Sequence, residues 1–260
     1  MNEVIPTTYN QSLVIFSFFI ACLGSYIALN ATRKLLATHK ENYTYYLLIA
    51  GTALGGLGVW AMHFVGMLAM RMPLGLSYSI WETVISLLAA IGCTAWGLAI
   101  VARNPRSLKH LLGAGTMLGI GVCVMHYLGM YSMRFGGFFQ WDMLLVGLSM
   151  VIAIVAATAA LWLAFNTNSQ SKRLAAALIM GTAVCAMHYT GMLAAQIVCT
   201  TTTPMAIPSG FGLLSVLELP MMVITFVVGM TLAIGVCLMM MPLMSQPQRT
   251  VAAANNSGVR

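Results

Sequence analysis

The chain has 260 residues, of which 60% are hydrophobic and only 7% charged, with a formal net charge of +7. That balance marks an integral membrane protein rather than a soluble domain. The positive charge falls in loops, so it points to anionic lipid at the inner leaflet and not to nucleic-acid binding, for which no recognisable module is present.

Seven apolar stretches, at residues 12–32, 45–70, 78–102, 110–133, 142–165, 173–197 and 217–242, are long enough to cross a bilayer as helices of about 20 residues. They are continuously apolar, whereas a transmembrane barrel needs alternating segments of about ten residues. The expected fold is therefore an all-α integral membrane protein with seven transmembrane helices. Residues 1–11 form a short outer segment with Glu3 and no Lys or Arg, and the basic pair Arg33 and Lys34 follows the first apolar run. That order predicts a retained first helix, not a secretory signal.

Arg33, Lys34, Lys40, Arg103, Arg106, Lys109, Lys172, Arg173, Arg249 and Arg260 fall on one side of these spans, and only Arg71 and Arg134 on the other. The positive-inside rule makes the ten cytoplasmic, with the amino terminus outside and the carboxyl terminus inside. Residues 12–242 are the membrane domain. Residues 243–260, rich in Ser, Gln, Ala and Asn, are expected to be a disordered cytoplasmic tail.

The second, fourth and sixth spans each carry one six-residue motif near the outer end. The copies are Met62-His63-Phe64-Val65-Gly66-Met67, Met125-His126-Tyr127-Leu128-Gly129-Met130 and Met187-His188-Tyr189-Thr190-Gly191-Met192. The chain is thus three parallel helical hairpins followed by a seventh helix. Gly56, Gly119 and Gly181, each seven before a motif histidine, predict close helix approach, within the chain or in a homodimer. Arg71, Arg134 and Gln196 follow the histidines by eight, a helical rise of about 12 Å that buries the imidazoles in the outer leaflet.

An intramembrane histidine is costly and usually functional. At about 100° per residue, each histidine shares a face with the methionine four later, and Cys123 and Cys185 lie three before their histidines. Imidazole, thioether and thiol are a soft donor set suited first to Cu(I), with Cu(II), haem iron or zinc less well matched. The competing reading is packing: the chain holds 22 methionines, which fill gaps in apolar cores, and Trp60 stands where the later copies have cysteine. Cys22, Cys93 and Cys237 also lie within spans and Cys199 stands alone, so no disulfide framework is indicated.

Glu82, Asp142 and Glu218 each begin an odd-numbered span, where negative charge favours the helix start. Arg71 is expected to pair with Glu82 and Arg134 with Asp142, leaving Glu218 either a cap or free for a role at the site. The outer loop from Cys199 to Leu217, with Pro204 and Pro208, is a candidate lid. Lys34, Lys40, Lys109 and Lys172 all lie at inner loops, so the seventh helix has none for a retinal Schiff base. No nucleophile-and-base spacing or phosphate loop is visible, and the expectation is no enzymatic activity in this chain.

The three motifs resemble the MHYT family of bacterial membrane sensor domains, named for residues seen here as Met187-His188-Tyr189-Thr190. The resemblance implies a seven-helix domain of the bacterial inner membrane that binds copper near its outer face and detects oxygen, carbon monoxide, nitric oxide or copper itself. The implied ligands are Met62, His63 and Met67; Met125, His126, Tyr127 and Met130; and Met187, His188, Tyr189 and Met192. Phe64 departs from the motif and removes any tyrosine role in the first copy. The resemblance also implies signalling through cyclic di-GMP enzymes. None is visible here, so signalling requires a separate cytoplasmic partner or a longer system. Two other readings stay open. A copper transporter needs ligands at successive depths, of which Cys22, Cys93, Cys237 and Met239 to Met241 offer a few. A haem-binding electron-transfer protein needs facing histidines.

Overall fold

In a computed structural model, residues 3–37, 42–203 and 205–244 are described, with side chains in the last helix to residue 237. Lys40, Pro204, the side chains of Met239 to Met241, and the tail from residue 245 onward, with Arg249 and Arg260, lie outside the described residues. The helices are α1 (Gln11–Ala37), α2 (Tyr43–Ala69), α3 (Ile80–Arg103), α4 (Leu108–Tyr131), α5 (Met143–Asn166), α6 (Gln170–Leu193) and α7 (Glu218–Met244). All seven are long and apolar enough to span a bilayer. The sixth ends earlier than its apolar pattern, because residues after Leu193 leave the helix to join a sheet.

Short strands frame every odd-numbered helix start and every motif-helix end. They are β1 (Glu3–Val4), β2 (Thr8–Tyr9), β3 (Met70–Arg71), β4 (Leu76–Ser79), β5 (Met133–Phe135), β6 (Gly137–Trp141), β7 (Ala195–Cys199) and β8 (Leu213–Leu214). β2 pairs antiparallel with β3, β4 with β5, and β6 with β7. Each repeat is therefore strand, helix, helix, strand, closed on itself by its own ladder. The register is equivalent in all three: Thr8 faces Arg71, Ser77 faces Arg134, and Gln140 faces Gln196.

Residues 1–223 and 224–260 cluster as two units. In the first, α1 to α6 form a closed ring of neighbours, and the motif segment of α2 also touches α4 and α6. Small residues permit this closeness. A Cβ on Gly24 of α1 would stand 2.2 Å from the Gly58 nitrogen of α2, an intramolecular approach only glycine allows. In the second unit, Ile224, Val228, Leu232 and Val236 recur every four residues on an exposed apolar stripe, as a lipid-facing helix surface requires.

The middle of α2 is π-helical over Thr52–Ala61, between α-helical Tyr43–Gly51 and Met62–Ala69. A π-helical turn takes up extra residues, and it changes the glycine register anticipated at Gly56. Gly55, eight before His63, packs against Ala90 of α3, whereas Gly119 and Gly181, seven before their histidines, meet Ile154 and Cys22.

The outer ion pairing also departs from expectation. Arg134 pairs with Glu82, not with Asp142, because β4 lies beside β5 in register and runs directly into α3, bringing Glu82 under Arg134. Asp142 instead accepts the amide hydrogens of Leu144 and Leu145, capping α5. The loop considered as a lid adds β8 to β4, with Leu214 opposite Tyr78.

Candidate metal centre

His63, His126 and His188 meet at one point. Their Nδ1 atoms are 3.1 Å apart for His63 and His126, 3.1 Å for His63 and His188, and 3.3 Å for His126 and His188. All three side chains are at most 1% exposed, and the rings pack edge to face at centroid separations of 4.9 to 5.2 Å. Among the described histidine, cysteine and carboxylate groups, only these three assemble as a potential ligand set.

The motif glycine explains how the rings fit. A Cβ at Gly129 would stand 2.3 Å from His63 Nε2, one at Gly191 would stand 2.3 Å from His126 Nε2, and one at Gly66 would stand 2.2 Å from His188 Nε2. Each imidazole is seated on the glycine of the next repeat, in a cycle that closes after three. Each Nε2 is buried without a hydrogen-bond partner among the described residues.

The Nδ1 triangle cannot satisfy itself. A ring nitrogen presents either one hydrogen or one lone pair, so among three mutually close nitrogens at least one pair must be alike, proton to proton or lone pair to lone pair. A cation accepting all three lone pairs removes that conflict. The distance from each corner to the centre is about 1.8 Å, a little under the roughly 2.0–2.1 Å of a metal–imidazole bond. The three nitrogens would therefore be close enough together to hold one small ion.

The motif aromatic residues anchor the site to the odd helices. Ser149 Oγ donates to the Val146 carbonyl, so Tyr127 donates its hydroxyl to Ser149 over 2.6 Å. Ser17 likewise donates to Val14 and accepts from Tyr189 over 2.9 Å. Phe64 has no hydroxyl, and in the first repeat Trp60 Nε1 occupies the equivalent position, 3.1 Å from Ser86 Oγ. Both departures of the first copy, tryptophan for cysteine and phenylalanine for tyrosine, are one compensated exchange.

A second aromatic layer sits outside the first. Trp141 packs on Tyr127 at 5.3 Å, Tyr9 on Tyr189 at 6.1 Å and Tyr78 on Phe64 at 6.5 Å. Burial pushes the phenols of Tyr9 and Tyr78 above their ordinary range, keeping this layer neutral. Sequence inspection missed these residues, although a signal exists: Tyr9, Tyr78 and Trp141 each precede Ser17, Ser86 and Ser149 by eight.

Met62, Met67, Met125, Met130, Met187 and Met192 are all buried to 2% exposure or less. Cys123 lies outside the histidine cluster, packed with Ala153 and Met187. Cys185 is also outside it and half-buried. Glu218 lies outside the histidine cluster. It is exposed, its carboxylate accepts from the Ser215 amide, and its own amide donates to Ser215 Oγ, a capping box.

Comparison with known proteins agrees with this architecture. The MHYT family, described as a bacterial signalling protein N terminal repeat, matches residues 56–114, 119–177 and 181–254. The chain is 42% identical over 196 residues to the bifunctional diguanylate cyclase/cyclic di-GMP phosphodiesterase MucR of Pseudomonas aeruginosa, covering 73% of this chain and 28% of that protein. It is 34% identical over 202 residues to the signaling protein YkoW of Bacillus subtilis, covering 74% of this chain and 24% of the relative. It is also 34% identical over 204 residues to the cyclic di-GMP phosphodiesterase NbdA of Pseudomonas aeruginosa, covering 76% and 26%. The chain thus aligns with about a quarter of the length of these relatives. No solved structure matches. With three motif-bearing repeats and seven spanning helices, the chain belongs to the MHYT family of bacterial signalling proteins and is a multi-pass inner-membrane protein.

Proposed function

We propose that this chain is a membrane sensor in which His63, His126 and His188 together hold one copper ion near the outer face. The observation that carries this reading is the buried triangle of Nδ1 atoms 3.1 to 3.3 Å apart, whose hydrogen-bonding conflict a cation resolves. Three imidazoles suit copper or zinc, and the six motif methionines, each within four residues of a motif histidine in the sequence and buried, favour copper. When bound, copper supplies a redox-active centre that can take a small ligand such as oxygen, carbon monoxide or nitric oxide.

The residues of the chain hold and report on that centre. Each glycine seat fixes the orientation of one imidazole, and the Tyr127–Ser149 and Tyr189–Ser17 bonds tie the motif helices to α5 and α1. A change in the length of the Nδ1 triangle therefore displaces α2, α4 and α6 against the odd helices, and short loops carry that shift to the inner side. By analogy with relatives named for cyclic di-GMP synthesis and hydrolysis, the output is a cyclic di-GMP enzyme, in a partner or in a longer chain. The chain's own role is sensing, not catalysis.

Two competing readings fit less well. A porphyrin must lie between its axial imidazoles, whereas these rings are in edge contact. A transported ion needs donors along its path, yet Cys22 and Cys93 are packed against Gly181 and Gly121 at helix contacts. The test is elemental mass spectrometry on detergent-purified protein after copper loading. About one copper per chain is expected, with loss in the variant carrying His63, His126 and His188 all changed to Ala. No retained metal in the unaltered protein overturns the reading.

A further inference from the structure

One turn inward of the triad the bundle holds a cavity of about 30 Å³. Its walls follow the threefold repeat. Val59, Val122 and Val184 each stand four residues before a motif histidine, and all three line it. Leu118 and Met180, eight before theirs, and Leu54, nine before His63, form the next ring. The extra residue at Leu54 matches the π-helical segment of α2. All three motif helices therefore border the cavity on the inward side of the imidazoles, and α5 closes one flank of it.

Size and chemistry restrict its occupant. A water needs roughly 10–15 Å³ of such space and two to four polar partners, and a cavity that takes benzene measures about 150 Å³. Here the lone hydroxyl in the wall, that of Thr94, already donates to the Ala90 carbonyl over 2.7 Å. A water would find there only the acceptor side of that one hydroxyl, short of the two to four partners it needs, and an aromatic ring has no room. What fits is an apolar molecule of about two heavy atoms.

The wall toward the bilayer is thin. Ala153, Ala156, Ala157 and Ala160 line the cavity from one face of α5, and Ala156 and Ala160 are only half-buried. Neighbouring positions on that helix, Val151, Val155 and Trp162, expose 59%, 63% and 52% of their surface, as lipid-facing residues do. A small apolar solute is soluble in that lipid, and side chains no larger than a methyl separate it from the cavity.

We propose that this cavity is a binding pocket for a small apolar molecule of diatomic size, entered from the bilayer through the α5 alanine face. As a route by which such a ligand comes to the triad it rests on the sensor reading above, but the pocket itself requires no metal. A ligand arriving this way reaches the inner side of the imidazoles without crossing the polar outer loops.

Xenon is the probe. The whole chain, labelled with ¹³C in its methionine methyl groups and placed in phosphatidylcholine nanodiscs, is titrated under xenon pressure. Met180 and Met187 line the cavity, so their resonances are expected to shift saturably while those of Met205 and Met221, both exposed, move only linearly. Val122→Ile, a one-methylene change, is expected to lower the apparent xenon affinity several-fold, and Val184→Phe to abolish saturation. Absence of a saturable shift, or a response unchanged in both variants, overturns the proposal. Copper content measured on the same samples separates the two readings: xenon binding without copper retains the pocket and removes the metal centre, and copper without xenon binding does the reverse.

Discussion

Replacing Gly129 by alanine tests the cyclic seating of the imidazoles with the smallest possible perturbation. The new Cβ would lie 2.3 Å from His63 Nε2, 2.9 Å from its Cδ2 and 3.3 Å from its Cε1. Ordinary carbon contacts are about 3.5–4.0 Å, so the His63 ring must retreat by about 1 Å. His63 is fully buried and its Nδ1 already touches both partners, so it has no free direction. Metal ligand distances tolerate about 0.2 Å, and a 1 Å displacement would remove one of the three proposed ligands. The expected loss of copper affinity exceeds the roughly 10- to 100-fold typical of outer-shell changes. Overpacking costs about 1–3 kcal/mol, offset by up to about 1 kcal/mol of helix propensity. Competition titration with a copper chelator and thermal unfolding in the same detergent measure the two effects. Gly113→Ala on the same helix, where no atom lies within 4 Å of the added Cβ, is the control and should leave both unchanged or raise stability slightly. If Gly129→Ala binds copper with unaltered affinity and melts at the unaltered temperature, the seating argument is wrong.

Further consequences concern the anchors. Trp60→Cys alone should cost about 3–5 kcal/mol, in the range of large-to-small core changes, and Phe64→Tyr alone about 1–3 kcal/mol because its hydroxyl meets the indole. The double variant recreates the arrangement of the second repeat and should cost at least about 1 kcal/mol less than the two singles together; additivity in a denaturation cycle would refute the compensation. Arg134→Ala and Glu82→Gln should be non-additive by about 0.2–1 kcal/mol, the size of an exposed ion pair, while Arg71→Ala and Glu82→Gln should be additive. Tyr127→Phe should lose about 0.5–1.5 kcal/mol without changing copper stoichiometry, whereas a stoichiometric loss would make the hydroxyl a ligand. Glu218→Ala should lower the melting temperature and leave bound copper unchanged, and copper loss would restore Glu218 to the site.

The number of helices and the threefold repeat were legible from the sequence. Hydropathy over about 20 residues is a local property that the bilayer itself reads. Motif spacing also marked His63, His126 and His188 as equivalent, and a cap role for Glu218 followed from its position at a helix start. The convergence of those histidines on one point was not legible. It depends on which helices become neighbours, and hairpins 63 and 62 residues apart in register are compatible with three separate sites. The Arg134–Glu82 pair was misassigned for a related reason: strand pairing at the outer end, carried by segments of two to five residues, is too short to leave a periodic signal. By itself the sequence determined that three buried imidazoles sit at one depth in a seven-helix membrane protein, because burial and depth follow from apolar length along each helix. Tertiary structure alone decided that they face one another, that each rests on the next repeat's glycine, and that an apolar cavity lies beneath them, because these features arise between helices from packing and not within any one of them.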